Sequence, residues 1–166
     1  MKRIFDFTLA LIGLIISSPI LVPVIFLVWI QDWHSPFYIA SRVGKDEKQF
    51  KMLKLRSMIV NADKSGVDST SSNDKRITGV GRFIRKYKLD ELPQLLNVLI
   101  GDMSLVGPRP EVRKYVNYYS TKQLEILNIR PGITDLASIK YKNENEILGK
   151  SIDPEKTYIQ EIMPHK

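Results

Sequence analysis

Residues 7–30 read FTLALIGLIISSPILVPVIFLVWI and carry no charged side chain. As an α-helix rising about 1.5 Å per residue, this stretch would be about 36 Å long, which is enough to cross a bilayer. A cleavable secretory signal fits poorly, because the apolar run resumes at Ile20 after the polar pair Ser17-Ser18. A buried core helix also fits poorly, because such a helix should show polar residues along one face. The stretch therefore predicts a membrane helix.

Two prolines bear on the topology of this helix. Because Pro19 and Pro23 lack an N–H, we expect a break at Ser18-Pro19, with the serine hydroxyls donating to the freed carbonyls. Lys2 and Arg3 precede the apolar run, and the sequence after it is also basic. The positive-inside rule then places both flanks on the cytoplasmic face, which favours a re-entrant helix over a spanning one.

The composition limits the remaining choices. A chain of 166 residues has room for one domain with a core. Its 25 Lys+Arg against 18 Asp+Glu give a net charge of +7 and a pI near 9.5, which favours an anionic partner such as phospholipid, a phosphorylated substrate or nucleic acid. The absence of cysteine excludes disulfides, thiolate zinc sites and iron–sulfur clusters.

We divide the chain into a membrane segment, residues 1–33, and a second unit, residues 34–166, which would hold any active site. The fold class predicted for the whole is α+β and mostly helical, with a small β-hairpin and amphipathic, interfacial helices. The hairpin joins residues 37–43 and 49–58. The clearest amphipathic helix begins near Asp90 and ends at Gly101. Further helices are predicted over residues 79–87, 111–119, 121–128 and 155–162, the third of them behind a Ser120-x-x-Gln123 capping box, and residues 61–75 are predicted as a loop.

The second strand of the hairpin has one apolar and one cationic face, since Leu53 and Leu55 alternate with Lys54 and Arg56. Anionic lipid and a phosphate-bearing substrate suit this basic surface equally well.

The pair Asp90-Glu91 lies where the amphipathic helix is expected to begin. Free N–H groups at that position attract anions, so a phosphate could lie beside the carboxylates if cations such as Arg85 and Mg²⁺ neutralise both. The alternative is that Asp90 only caps the helix and Glu91 is solvated, and spacing alone favours this alternative.

Two arginines stand beside stiff turns. Prolines on both sides fix the backbone at Arg109, and Arg130 precedes Pro131-Gly132. Each could grip a phosphate or belong to a rigid connector.

The segments that contain these residues strongly resemble the bacterial sugar transferases called monotopic phosphoglycosyl transferases. The resemblance extends from the Ser18-Pro19 pair to about Asn143. It includes the strand Lys54-Leu55-Arg56-Ser57-Met58. The other segments that carry it include Arg76-Ile77-Thr78, Leu89-Asp90-Glu91-Leu92-Pro93-Gln94-Leu95, Gly101-Asp102-Met103-Ser104-Leu105-Val106-Gly107-Pro108-Arg109-Pro110 and Arg130-Pro131-Gly132-Ile133-Thr134.

The resemblance implies a membrane enzyme on the cytoplasmic face of the bacterial inner membrane. Such an enzyme transfers a sugar 1-phosphate from a UDP-sugar to a polyprenyl phosphate such as undecaprenyl phosphate, releases UMP and begins the synthesis of a surface glycan. The family's mechanism makes Asp90 the nucleophile that forms a covalent phosphosugar intermediate, and gives Asp90 and Glu91 a role in holding Mg²⁺. Phosphate-binding roles go to Arg85, Arg109 and Arg130, and to Lys142, which stands where arginine is usual.

The chain stops at Lys166, where members of that family often continue, which suggests a truncated chain. Two other functions stay open on the residues alone: a membrane-tethered basic module that binds lipid or nucleic acid, and a Mg²⁺-dependent diphosphatase. The transferase interpretation involves membrane lipids and no nucleic acid, and the sequence does not indicate the sugar or the oligomeric state.

Overall fold

The computed structural model describes residues 1–62, 74–136, 147–149, 151 and 153–163. Its elements follow in chain order: α1 (Lys2–Ile30), β1 (Phe37–Val43), β2 (Gln49–Leu55), α2 (Gly79–Lys86), α3 (Gln94–Ile100), β3 (Ser104–Val106), α4 (Arg113–Val116), α5 (Thr121–Leu124), β4 (Gly132–Thr134) and α6 (Pro154–Thr157). Short 3₁₀ turns cover Lys45–Glu47, Leu89–Glu91 and Glu125–Asn128, and a π-helical turn covers Tyr158–Ile162. The predicted α+β fold, mostly helical with a small hairpin, is confirmed.

Helix α1 is continuous through both prolines, so the predicted break at Ser18-Pro19 does not interrupt it. Pro19 leaves the carbonyl of Ile15 without its helical donor, and the Ser18 hydroxyl donates to that carbonyl at 2.8 Å. The Ser17 hydroxyl donates to the Leu14 carbonyl at 3.4 Å. The Ser18 hydroxyl thus satisfies the carbonyl that Pro19 would otherwise leave unpaired.

One side of α1 packs along the domain over most of the helix. Leu21, Val24 and Val28 join a core cluster with Leu55 and Ile84. Nearer the amino terminus, Ala10 belongs to a second cluster, with Ala40, Met52, Val98 and Met103. The outward side is apolar and exposed, and the helix is long and apolar enough to cross a membrane.

The hairpin forms as predicted, with β1 and β2 antiparallel and in register from Phe37↔Leu55 to Val43↔Gln49. Strand β2 ends at Leu55, three residues earlier than predicted. The other edge of β2 is covered by Asn97 of α3, whose amide accepts from Leu53 N at 2.9 Å and donates to Lys51 O at 2.8 Å.

A second sheet, absent from the sequence prediction, pairs β3 with β4 in parallel. The strands are three residues long and are closely packed at Gly107 and Gly132, where a Cβ on Gly132 would lie 2.1 Å from Gly107 N. Only glycine permits this approach, which fixes the loop that carries Arg109.

The predicted helices form with shorter bounds. Gly101 ends α3 with φ 108, and the capping box of Ser120 and Gln123 begins α5 as predicted. Asp90 is not at the start of α3, as expected from the sequence, but in the preceding 3₁₀ turn, because Pro93 takes the N-cap position.

Candidate active site

A cavity of about 810 Å³ lies between β2, α2, the 3₁₀ turn Leu89–Glu91 and the loop after β3. Its lining includes the carboxylates of Asp90 and Glu91 and the cations that surround them: Lys54, Arg85 and Arg109. Four parts of the chain, between Lys54 and Arg109, therefore supply one polar site.

Apolar neighbours anchor the turn that carries the carboxylates. Leu89 and Leu92 pack against the cluster that contains Leu55 and Ile84. Lys88, just before the turn, has the left-handed conformation with φ 57 and ψ 22, which ends α2 and redirects the chain. With the leucines held in the core, the two intervening carboxylates line the cavity.

Asp90 is buried, and its Oδ1 atom has no hydrogen-bond partner among the described residues. Burial raises the pKa of its carboxyl, and the neighbouring Glu91 raises it further, while Lys54 and Arg85 oppose the increase. An unpartnered, desolvated carboxylate oxygen is chemically suited to nucleophilic attack.

Glu91 has the opposite environment. Its Oε1 accepts from Lys54 Nζ at 3.1 Å and from Arg109 Nη2 at 3.2 Å. Burial alone would raise the pKa of Glu91, but Lys54 and Arg109 outweigh it and lower the pKa to about 2. Glu91 is therefore a fixed anion that holds two cations beside Asp90.

Lys54 is a site residue that the sequence does not single out. The sequence places it on a basic surface that suits anionic lipid or a phosphate-bearing substrate equally well, whereas in the structure its side chain is only 19% exposed and is ion-paired with Glu91. Burial lowers its pKa, although Glu91 acts in the other direction. The available signal was its position in the Lys54-Leu55-Arg56-Ser57-Met58 segment of the resemblance.

Arg85 is held by the segment after β2. Its Nε donates to the Ser57 hydroxyl at 2.7 Å. The Ser57 carbonyl lies 1.9 Å from where a Cβ on Gly81 would be, so glycine is required for α2 to approach this closely. The arginine predicted to bind phosphate is thus positioned beside the carboxylates.

Arg130 does not join this group. Its Nε donates to the Gly101 carbonyl at 2.8 Å, and it is not among the residues that line the cavity. The β3–β4 pairing brings its neighbour Gly132 to the cavity instead. Lys142 lies outside the described residues.

The carboxylates of Asp90 and Glu91 are of the kind that Mg²⁺ takes as ligands. Within the described ranges, no group of three or more His, Asp or Glu side chains could hold a metal by itself. Mg²⁺ commonly takes one or two carboxylates and completes its shell with substrate phosphates and water. Asp90 and Glu91, with Oδ1 of Asp90 unpartnered, fit such a site.

Comparison with known proteins gives this arrangement a context. The sequence model of the family described as bacterial sugar transferase matches residues 1–164. A Bacillus subtilis protein, provisionally named as an undecaprenyl-phosphate N-acetylgalactosaminyl 1-phosphate transferase, is 48% identical over 110 residues, which are 66% of this chain and 62% of that protein.

Two further relatives match over more of the chain. The exopolysaccharide production protein ExoY of Sinorhizobium fredii is 39% identical over 86% of this chain and 70% of its own length. The UDP-galactose-lipid carrier transferase of Erwinia amylovora is 40% identical over 87% of this chain. The chain spans 33% of the length of the Erwinia protein.

Proposed function

The chain belongs to the bacterial sugar transferase family, and on that premise we propose that it transfers a sugar 1-phosphate from a UDP-sugar to undecaprenyl phosphate and releases UMP. The observation that carries the proposal is the buried, unpartnered Asp90 oxygen in a cavity lined by Lys54, Arg85 and Arg109. The product would be the first lipid-linked unit of a surface glycan.

The reaction would proceed in two displacements at one phosphorus atom. A carboxylate oxygen of Asp90 attacks the phosphorus that bears the sugar, and the bond to the bridging oxygen breaks, so that UMP leaves with that electron pair. A phosphate oxygen of the polyprenyl phosphate then attacks the same phosphorus and displaces the Asp90 carboxylate. The product is a polyprenyl diphosphate sugar, and Asp90 is regenerated.

The surrounding side chains make an attack by one anion on another feasible. Lys54, Arg85 and Arg109 offset the charge of the diphosphate and of the oxygen that leaves. Glu91 keeps Lys54 and Arg109 in place while remaining ionised.

Mg²⁺ would be held by Asp90 and Glu91 together with the phosphates, and when bound it neutralises phosphate charge. Removal of the metal should leave Lys54, Arg85 and Arg109 in position to bind the diphosphate.

The proposed topology is a monotopic protein on the cytoplasmic face, with α1 re-entrant rather than spanning: both ends of the helix lie on that face, although the helix is continuous at Ser18-Pro19. Two sets of contacts support it. Near the amino end of α1, Asp6 accepts hydrogen bonds from Ser104 and Leu105. Near its carboxyl end, Val28 packs in the cluster with Leu55. A helix held to one domain at both ends does not place those ends on opposite sides of a membrane.

The test is UMP release by the purified protein with Mg²⁺, undecaprenyl phosphate and a panel of UDP-sugars. We expect release with a particular sugar, dependent on the lipid and lost in Asp90→Asn. UMP release that does not need the lipid would indicate a diphosphatase instead. A panel without any release, by this chain and by a longer form that extends beyond Lys166, would contradict the proposal.

A further inference from the structure

A second group of cations binds backbone carbonyls between the last turn of α3 and the end of β3. Arg3 donates to the carbonyls of Val98 and Leu99, the latter at 2.7 Å. Lys2 Nζ donates to the Val106 carbonyl at 3.0 Å, and Arg130 Nε donates to the Gly101 carbonyl at 2.8 Å. All three cations thus bind carbonyls of residues 98–106.

The two arginines both lie against Gly101. A Cβ on Gly101 would lie 3.2 Å from Arg3 Nη2, while the carbonyl of the same residue accepts from Arg130. The amino terminus of α1 and the segment before β4 therefore meet at one residue, although they are distant in sequence.

Hydrogen bonds to backbone carbonyls leave the positive charge of the three side chains in place. No Asp or Glu carboxylate of those residues forms an ion pair with Lys2, Arg3 or Arg130. A helix C-terminus attracts a cation but carries only about half an elementary charge, so α3 alone does not account for three. Each guanidinium also keeps N–H groups beyond those given to the backbone, since it has five.

The surroundings of these cations are apolar and exposed. Ile100 is 74% exposed, Val106 59% and Ile129 55%, and Ile4 and Phe5 of α1 are exposed as well. Cations that border apolar side chains match the boundary between acyl chains and headgroups, where the apolar groups enter the membrane and the cations meet lipid phosphates.

We propose that Lys2, Arg3 and Arg130 form a binding site for the phosphate of an anionic membrane phospholipid. The site lies apart from the Asp90 cavity, since none of its three cations lines that cavity. Arg130 would then contact a lipid phosphate instead of the donor diphosphate. The site would fix the depth of α1 and α3 at the membrane surface.

The test uses a benzophenone amino acid in place of Ile100, with the full chain in phosphatidylcholine vesicles that contain about 20 mol% phosphatidylglycerol. After irradiation, the ratio of the two lipid adducts is measured by mass spectrometry. We expect phosphatidylglycerol adducts about fivefold above the bulk ratio, and a loss of most of that enrichment in Arg130→Gln. Arg130→Lys should retain it, because the charge is kept.

Two further variants distinguish specific lipid binding at this site from an effect of overall positive charge and from misfolding of a variant. Lys122→Gln removes an exposed cation from α5 and should leave the enrichment unchanged. Lys2→Gln changes an exposed side chain and should lower the enrichment even if Arg130→Gln does not fold.

Three results would overturn the proposal. One is an adduct ratio equal to the bulk ratio in the parent chain. The second is an equal loss of enrichment in Lys122→Gln and Arg130→Gln. The third is stronger enrichment of undecaprenyl phosphate at the same mole fraction, which would assign the site to the acceptor.

Discussion

Asp90 and Glu91 are adjacent in the chain, yet the two carboxylates have opposite electrostatic environments. The pKa of Asp90 is raised by burial, whereas the pKa of Glu91 is lowered to about 2 because Lys54 and Arg109 outweigh burial. Neighbouring carboxylates with separated pKa values take different roles. Glu91 fixes the cations, and Asp90 keeps an oxygen free for chemistry.

The pH dependence of the reaction follows from this difference. The rate should fall at acid pH as the Asp90 nucleophile is protonated, at a pH above the ordinary range for aspartate because its pKa is raised. Glu91 should not contribute to this acid limb. At alkaline pH the rate should fall as Lys54 loses its proton, at a pH below the usual lysine pKa because burial lowers it.

Initial rates of UMP release measured from acid to alkaline pH would give both the acid and the alkaline limb of the pH–rate profile. Lys54→Arg is the matched variant for the alkaline limb. Arginine stays protonated, so the alkaline limb should move to higher pH while the acid limb stays. An alkaline limb that is unchanged in Lys54→Arg would show that Lys54 is not the titrating group.

The same pKa directions give opposite stability effects for the two carboxylates. The folded state binds a proton on Asp90 more tightly than the unfolded chain does, so the associated stability is present at low pH and lost as pH rises through the raised pKa. At neutral pH, Asp90→Asn should therefore raise the Tm by about 2–4 °C for each kcal/mol of stability gained, and it should abolish transfer. Thermal unfolding in detergent would measure the change in Tm.

Glu91→Gln serves as the control. The pKa of Glu91 is lowered, so its ionised form stabilises the fold above its unfolded pKa, and the loss of that charge leaves Lys54 with one partner fewer. The Tm should fall. Equal shifts of the same sign in both variants would contradict the assigned environments.

At the scale of elements, Asn97 links α3 to the free edge of β2. Its amide pairs with Leu53 N and Lys51 O, as a neighbouring strand would, and Leu53 directly precedes Lys54. Asn97 is 3% exposed, so water cannot replace it. The distance between Lys54 and the carboxylates therefore depends on this side chain.

Asn97→Leu should leave the Leu53 N–H and the Lys51 carbonyl without their partly buried hydrogen bonds and reduce the free energy of unfolding by about 2–4 kcal/mol. Urea unfolding followed by circular dichroism would measure the change. Asn117→Leu, at an exposed position after α4, should change it by less than about 0.5 kcal/mol. If Asn97→Leu and Asn117→Leu reduced the free energy of unfolding by similar amounts, the hydrogen bonds of Asn97 to the edge of β2 would not be important for stability.

The same elements show what the sequence could predict. The hairpin and the helices can be predicted from local periodicity, and the role of the Asp90-Glu91 pair can be predicted from the family resemblance. The surroundings of Lys54 and Arg130 could not be predicted from the sequence, because they depend on long-range contacts: Lys54 meets Glu91, 37 residues away, and Arg130 meets Gly101, 29 residues away. The three-residue strands β3 and β4 are too short for a periodic signal and form only as a pair.

At the scale of the whole molecule, α1 is both the helix that is apolar enough to cross a membrane and part of the core. Asp6 is a carboxylate that is 5% exposed at the end of an apolar helix, and it binds Ser104 and Leu105 of β3. That strand leads directly to Arg109. The position of the membrane helix and the position of a cation in the site are therefore linked through β3.

This arrangement determines the accessibility of single cysteines, which can be introduced cleanly because the chain contains none. Lys2→Cys at the start of α1 and Lys122→Cys on α5 should react with a membrane-impermeant maleimide in inside-out vesicles and not in intact cells, since α1 is held to the domain at both ends. Ile16→Cys, at a position 72% exposed on the apolar side of α1, should react from neither side because lipid covers it. Labelling of position 2 from outside, with position 122 labelled only from inside, would require α1 to span the membrane. The contacts of Asp6 with β3 would then have to be absent in the membrane, and the proposed re-entrant topology would be wrong.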